Sequence, residues 1–151
     1  MTGLLQTLSG LPLANLRLGG MSVEMTMLAL AAVLCFVHIF VAAHFVTREH
    51  GAAWNTGARD NTPPLKGRLA GRLDRASNNF RETFPIFAVA VLLITILGRH
   101  DSRTEWGSQL YFWMRIVYLP LYATGVPFLR TIVWLASTVG ILLVLSAAFS
   151  P

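Results

Sequence analysis

The sequence is poor in charged residues. Asp, Glu, Lys and Arg make up 13% of its 151 residues, whereas a typical soluble domain has about 25%. Hydrophobic residues make up 54%. The charged residues are too few to cover the surface of a soluble domain of this length, so lipid must cover the apolar part of the surface. The composition therefore predicts an integral membrane protein.

Several features of other protein classes are also missing. The single cysteine, Cys35, excludes an intrachain disulfide and lies in an apolar run, where a buried packing residue is expected. We find no metal-ligand spacing, phosphate loop or nucleophile triad, and no pattern typical of nucleic-acid binding. We therefore expect no metal and no nucleic-acid partner. The net charge of +5 is better explained by membrane orientation and contact with anionic lipid.

Four long apolar runs dominate the remaining sequence. A span must satisfy its own backbone hydrogen bonds, and the short alternating segments of a β-barrel are absent, so each run predicts a helix. We predict an all-α fold, an integral membrane four-helix bundle over residues 21–151, preceded by an N-terminal extension at 1–20. The predicted helices cover residues 22–47, 70–98, 106–124 and 127–150.

Basic residues are distributed unevenly between the two ends of these helices. The predicted loop from Arg48 to Gly71 and the helix start after it are the richer side, with Arg48, Arg59, Lys66, Arg68 and Arg72. The opposite side has Arg17, Arg99 and Arg103. The positive-inside rule places the loop in the cytoplasm and both termini on the opposite side.

The second predicted helix begins with a polar stripe. Its members are spaced four, three, four and three residues apart, which places them on one helical face: Arg68, Arg72, Arg75, Asn79 and Glu82. Polar groups at membrane depth are costly, so the stripe must face the bundle interior or a water-filled cleft. One interpretation is an ion-pair seam that fastens helices through Glu82. The other interpretation is an anionic ligand, since three arginines accompany one carboxylate.

The third and fourth predicted helices bring further polar residues to the same side. Arg115, Tyr118 and Tyr122 share one face, and Pro120 is expected to kink the helix and open a pocket. Arg130 lies in the first turn of the fourth helix, where a cation opposes the helix dipole. Counting the crossings predicts that these residues converge with the start of the second helix.

Two histidines in the first predicted helix are candidates for metal or haem ligands. His38 and His44 are six residues apart and therefore lie on different faces, so they cannot bind one centre together. Packing or interhelical hydrogen bonding is the expected role for both.

Two motifs resemble those of the MAPEG family, the membrane-associated proteins in eicosanoid and glutathione metabolism. The first runs Arg75-Ala-Ser-Asn-Asn79-Phe-Arg-Glu82-Thr-Phe-Pro85-Ile-Phe87, and the second runs Arg115-Ile-Val-Tyr118-Leu-Pro-Leu-Tyr122, followed by Arg130. The resemblance extends from about Met25 to the C-terminus and is strongest to bacterial-type microsomal glutathione transferases. Thr83 departs from the tyrosine of several members.

The resemblance implies a homotrimer in a bacterial inner membrane, with glutathione as co-substrate bound between subunits on the cytoplasmic side. It implies that a first-loop arginine, Arg59 or Arg48, joins a glutathione-binding group; the set predicted here is Arg59, Arg72, Arg75, Asn79, Glu82 and Arg115. Arg130 would stabilise the glutathione thiolate, together with Tyr118 and Tyr122. The second substrate would be a lipophilic electrophile entering from membrane lipid.

Three functions therefore remain open at this point. The first is a glutathione transferase or peroxidase that acts on lipophilic electrophiles. The second is a non-catalytic lipid-binding or scaffold protein of the same fold. The third is a small transporter or channel subunit that uses its arginines as an anion path.

Overall fold

A computed structural model describes residues 16–60 and 62–149. These residues form five helices and no strand: α1 Val23–His50, α2 Ala52–Thr56, α3 Arg68–Ile96, α4 Ser102–Thr124 and α5 Pro127–Ala147. The all-α prediction is confirmed for this part of the chain. Residues 1–15 of the predicted N-terminal extension lie outside it, whereas Leu16 packs against the helical core.

The helix ends differ from the predicted ones. The structure extends α1 to His50, begins α3 at Arg68 and begins α4 at Ser102, whereas apolar runs predicted 47, 70 and 106. The loop prediction also missed α2. Backbone hydrogen bonds decide where a helix ends, and they do not depend on apolar side chains. A helix can therefore extend beyond its apolar run into polar turns.

The four long helices pack with α3 and α4 between α1 and α5, which do not contact each other. Helices α4 and α5 approach each other closely at two glycines. A Cβ atom added to Gly140 would lie 2.6 Å from the Gly107 carbonyl oxygen and 2.8 Å from the Tyr111 amide nitrogen. Only glycine permits this backbone approach.

Three helices, α1, α3 and α5, are long and apolar enough to cross a membrane. Many large apolar side chains on their outer faces are exposed, including Phe40 at 68% and Ile96 at 80%. Such a surface suits contact with acyl chains, and the chain is a multi-pass membrane protein. Helix α4 has 23 residues, about 35 Å at the rise of an α-helix, but its composition is less apolar.

Specific hydrogen bonds cap the first turns of two helices. Asp101 caps α4 by accepting a 2.8 Å hydrogen bond from the Thr104 amide, and this bond lowers the pKa of the Asp101 carboxyl. The first turn of α3 lacks such a cap of its own. Instead, the Glu49 carboxylate at the end of α1 accepts hydrogen bonds from the Lys66 and Gly67 amides. The loop after α1 is therefore fixed to the start of α3.

The opposite end of the bundle contains a buried carboxylate. Glu24 is 1% exposed, accepts a hydrogen bond from the Thr104 hydroxyl and lies 3.2 Å from His100 Nδ1. These contacts join the start of α1 to the start of α4 and to the α3–α4 connection. Buried carboxylates need such partners, so this cluster fixes the helix ends far from the polar residues of α3.

Candidate active site

A cavity of about 190 Å³ lies where α3, α4 and α5 meet. Its wall combines amide, phenol, guanidinium, hydroxyl and indole groups: Asn79, Tyr118, Tyr122, Arg130, Thr131 and Trp134. Counting membrane crossings predicts that Tyr122 and Arg130 meet the start of the second predicted helix; in the structure both line this cavity with Asn79, whereas Arg72 and Arg75 do not line it. The cavity thus has hydrogen-bond donors and a cation on walls from three different helices.

Asn79 is oriented within the cavity by Arg115. The Arg115 guanidinium donates 2.8 Å and 2.7 Å hydrogen bonds, to Asn79 Oδ1 and Thr83 Oγ1 respectively. Because the amide oxygen of Asn79 is occupied by this donor, its amide nitrogen is the group left for a ligand. Arg115 itself is fully buried and is absent from the cavity wall. Within one chain, Arg115 contacts a cavity residue and does not line the cavity itself, and its predicted contact with glutathione stays a prediction.

The two tyrosines and Arg130 form a contiguous group. The ring centroids of Tyr118 and Tyr122 are 5.3 Å apart with the rings tilted by 59°, and the Arg130 guanidinium carbon lies 4.8 Å above the Tyr122 ring. The arrangement results from spacing: the tyrosines are one turn apart on α4, and Arg130 is in the first turn of α5. Stacking on an aromatic face leaves the edge of a guanidinium available for hydrogen bonds.

In the part of the chain that the structure describes, Arg130 has no carboxylate partner. In residues 16–60 and 62–149, no Asp or Glu oxygen lies within 4.0 Å of its guanidinium. A cation at a cavity that lacks a counter-charge attracts an anionic ligand.

Arg72 has a different position. Its Nη1 atom donates hydrogen bonds of 3.1 Å and 3.2 Å to the carbonyl oxygens of Ala123 and Thr124, at the end of α4. Gly125 follows in the left-handed region with φ of 82°, and a side chain there would collide with the Arg72 guanidinium. Arg72 thus fastens α3 to the α4–α5 turn beside the cavity.

Arg75 and Glu82, also predicted to bind glutathione, are exposed on α3 and do not line the cavity. No arginine or lysine nitrogen lies within 4.0 Å of the Glu82 carboxylate in the described part of the chain. The ion-pair seam that was one interpretation of the polar stripe is therefore not found there. Both side chains are free to contact a ligand or another subunit, and their role stays a prediction.

Arg59 lies on the other side of α3. It lines a second cavity between α1, α2 and α3, and not the one that holds Arg130. Within one chain, Arg59 is therefore separated from Asn79, which belongs to the same predicted glutathione-binding group and lines the Arg130 cavity.

Two further residues of α5 line the cavity. Thr131 directly follows Arg130, and Trp134 is one turn further along α5. The Trp134 indole nitrogen is buried without a hydrogen-bond partner, which marks an unused donor beside the cavity. The signal for Trp134 was its spacing of four from Arg130, which places both on one helical face.

Two comparisons with known proteins bear on this site. The family model described as MAPEG family matches residues 27–150, nearly the whole chain, including all the cavity residues. No curated protein matches the chain.

Proposed function

Because this chain belongs to the MAPEG family, we propose that it is a membrane-bound glutathione transferase that conjugates glutathione to lipophilic electrophiles. The family includes glutathione transferases and also members that are not enzymes. The observation that carries the proposal is the Arg130 guanidinium, which lies over the Tyr122 ring and faces a cavity shared with Tyr118 and Asn79. Among the described residues it has no carboxylate partner.

The chemistry requires a thiolate. A cysteine thiol has a pKa of about 8.5, so most of it is protonated at neutral pH. A neighbouring guanidinium favours the charged form, and a tyrosine hydroxyl can donate a hydrogen bond to the sulfur. The thiolate then attacks the electrophilic carbon, a carbon–sulfur bond forms, and the leaving group departs with its electron pair. With a lipid hydroperoxide, the thiolate would attack the terminal oxygen, the O–O bond would break, and the lipid alcohol and glutathione sulfenic acid would form. A second glutathione thiol would then convert the sulfenic acid to glutathione disulfide and water.

The size of the cavity supports a shared site. About 190 Å³ is below the roughly 300–1,000 Å³ typical of ligand pockets. A tripeptide with two carboxylates would extend beyond it, towards the exposed Arg75 and Glu82. Arginine matches carboxylates in a bidentate manner, and Glu82 suits the glutathione ammonium group. We therefore propose that a second subunit of a homotrimer completes the glutathione site.

Replacement of Arg130 tests the proposal. Arg130→Ala should lower turnover about a hundredfold or more, the usual cost of losing one group that stabilises a developing charge. Glutathione affinity should change much less, the ultraviolet absorbance of bound thiolate should decrease, and higher pH should restore part of the rate. Arg130→Lys should recover some activity, because a point charge remains.

The control is Arg68→Ala, which removes an exposed arginine at the start of α3. It should leave turnover and thiolate absorbance unchanged. If Arg130→Ala keeps wild-type turnover while glutathione still binds, the thiolate role of Arg130 is refuted. If wild-type protein produces no thiolate absorbance on titration with glutathione, the non-catalytic lipid-binding or scaffold function replaces the enzyme.

A further inference from the structure

The turn between α4 and α5 cannot satisfy every carbonyl group at the end of α4 by itself. The Gly125 amide donates to the carbonyl oxygens of Leu121 and Tyr122, at 3.1 Å and 3.2 Å, and closes the last turn. The carbonyl oxygen of Ala123 has no helical donor, because the residue four positions later is Pro127, which has no N–H group. Another part of the molecule must therefore donate to the end of α4.

Arg72 supplies this donor from a different helix. It lies in the second turn of α3 and is half-buried. A single nitrogen, Nη1, donates to the carbonyl oxygens of Ala123 and Thr124, at 3.1 Å and 3.2 Å. The negative end of a helix dipole also favours a cation at this position. The contact therefore attaches the last turn of α4 to α3 through charge-assisted hydrogen bonds.

Gly125 leaves the space that the Arg72 side chain occupies. A Cβ atom at Gly125 would lie 2.3 Å from the Arg72 guanidinium carbon and 2.4 Å from Nη2. The same residue adopts φ of 82°, which glycine allows without strain. The guanidinium is thus packed directly against the turn, and a shift of either one would move the other.

The turn that Arg72 holds also determines where Arg130 lies. Tyr122 is in the last turn of α4 and Arg130 is in the first turn of α5, so the 4.8 Å contact between them depends on how the two helices meet. The close glycine contact between these helices, at Gly107 and Gly140, is nearer their other ends. The first turn of α5 has no side-chain cap, and Arg72 itself does not line the cavity.

We propose that Arg72 is a positioning residue for Arg130, because it holds the α4–α5 turn so that the Arg130 guanidinium stays over the Tyr122 ring and beside the sulfur of bound glutathione. The inference rests on the proposed function and replaces the glutathione-binding role that the sequence predicts for Arg72. An arginine that binds a carboxylate in a bidentate manner uses two nitrogens. Arg72 makes both carbonyl bonds with one nitrogen, and a lysine ammonium group, with three donors, can do the same.

The pH dependence of the bound thiolate tests the inference in detergent-purified protein. Arg72→Met keeps an unbranched apolar stem and removes the donors. It should move the rise of thiolate absorbance upward by about one pH unit, which is about a tenfold loss of thiolate, and of kcat, below that pH. The KM for glutathione should change by less than about twofold, since uniform binding is retained.

Two further variants complete this comparison. Arg72→Lys should restore most of the thiolate absorbance at neutral pH, because its ammonium group can donate to both carbonyl oxygens. Arg68→Met removes an exposed arginine one turn earlier on α3 and should behave as wild type. A raised KM in Arg72→Met and Arg72→Lys with an unchanged thiolate profile would assign Arg72 to glutathione binding and overturn the inference.

An Arg130→Ala background separates action through Arg130 from direct action on the ligand. Once Arg130 is absent, Arg72→Met should shift the thiolate profile no further, because the two changes remove the same effect. An equal shift in both backgrounds would show that the charge of Arg72 acts on glutathione directly, and would overturn the inference.

The same profiles distinguish failure of this inference from failure of the proposed function. If Arg130→Ala leaves the thiolate profile unchanged, the thiolate role of Arg130 fails and the inference fails with it. If Arg130→Ala shifts the profile and Arg72→Met does not, only the inference fails. Gly125→Ala disturbs the same contact from the turn and should shift the profile in the same direction. An unchanged profile for Gly125→Ala would overturn the inference even if Arg72→Met does not fold.

Discussion

The buried Arg115 side chain links two polar partners on α3 and is surrounded by aromatic rings. The centroids of Phe80, Tyr111 and Tyr118 lie within 5.5 Å of its guanidinium carbon. No carboxylate lies within 4.0 Å of it in the described residues, so the ring faces and neutral acceptors alone compensate its desolvation. Substitution of Arg115 by a side chain of another shape or charge should therefore disturb these contacts.

We expect Arg115→Leu to destabilise the protein and to weaken glutathione binding. Asn79 Oδ1 and Thr83 Oγ1 would lose a charged donor, each at about 1.5–3 kcal/mol. The freed Asn79 amide would no longer be oriented towards the cavity. Thermal unfolding in detergent and glutathione titration measure the two effects.

Arg115→Lys serves as a partial rescue, because a single ammonium group keeps the charge but lacks the fork that reaches both partners. It should lie between wild type and Arg115→Leu in both measurements. Arg68→Leu, at an exposed arginine, is the matched control and should behave as wild type. If Arg115→Leu binds glutathione normally, Arg115 does not position Asn79.

At the scale of residues, helical spacing predicts the positions of some side chains and not of others. Helical spacing predicts that Arg115, Tyr118 and Tyr122 share one face, and this face turns inward. Spacing does not show that Arg115, a turn deeper in the membrane, meets Asn79 and Thr83 while the tyrosines meet the cavity. For Arg59, the hydrogen bonds within a loop decided the position, and no periodic pattern reports such bonds.

At the scale of helices, the α4–α5 contact depends on Gly107 and Gly140. We expect Gly140→Ala to lower the free energy of unfolding by about 1–3 kcal/mol, the usual cost of an overpacked contact, because the added Cβ would lie 2.6 Å from a carbonyl oxygen. Thermal unfolding in detergent is the measurement. Val139→Leu, at an exposed neighbouring position, adds a methylene group outside the contact and should leave the midpoint unchanged. An unchanged midpoint for Gly140→Ala would show that the two helices separate easily.

The long helices were predictable because each contains an apolar run, whereas the short one was not. Helix α2 has five residues, Ala52–Thr56, without an apolar pattern, and the contacts of His50 and Arg59 with Trp54 hold it in place. The start of α4 was missed although its signal is present: Asp101 and Thr104 form a capping box ahead of the apolar run. Capping residues therefore locate the first residue of a helix more accurately than hydropathy alone does.

At the scale of the whole molecule, the orientation in the membrane remains a prediction from charge. The loop between α1 and α3, with the first turns of α3, carries Arg48, Arg59, Lys66, Arg68 and Arg72, and Arg130 lies on the same side. We expect a reporter inserted after Gly57 to show a cytoplasmic location in bacterial cells and one fused at the C-terminus to show a periplasmic location. The reverse result would refute the orientation and place the Arg130 cavity outside the cytoplasm.

The connection between α4 and α5 consists only of Gly125 and Val126, and this has a consequence for how the protein is made. During synthesis, α4 leaves the ribosome before α5 and contains Arg115, whose transfer to the centre of a bilayer costs about 2.5–3.5 kcal/mol at the translocon. Helix α5 follows after two residues and has no charged residue beyond Arg130. Helix α4 is therefore expected to enter the lipid only as half of a hairpin, released from the insertion machinery when α5 has been synthesised.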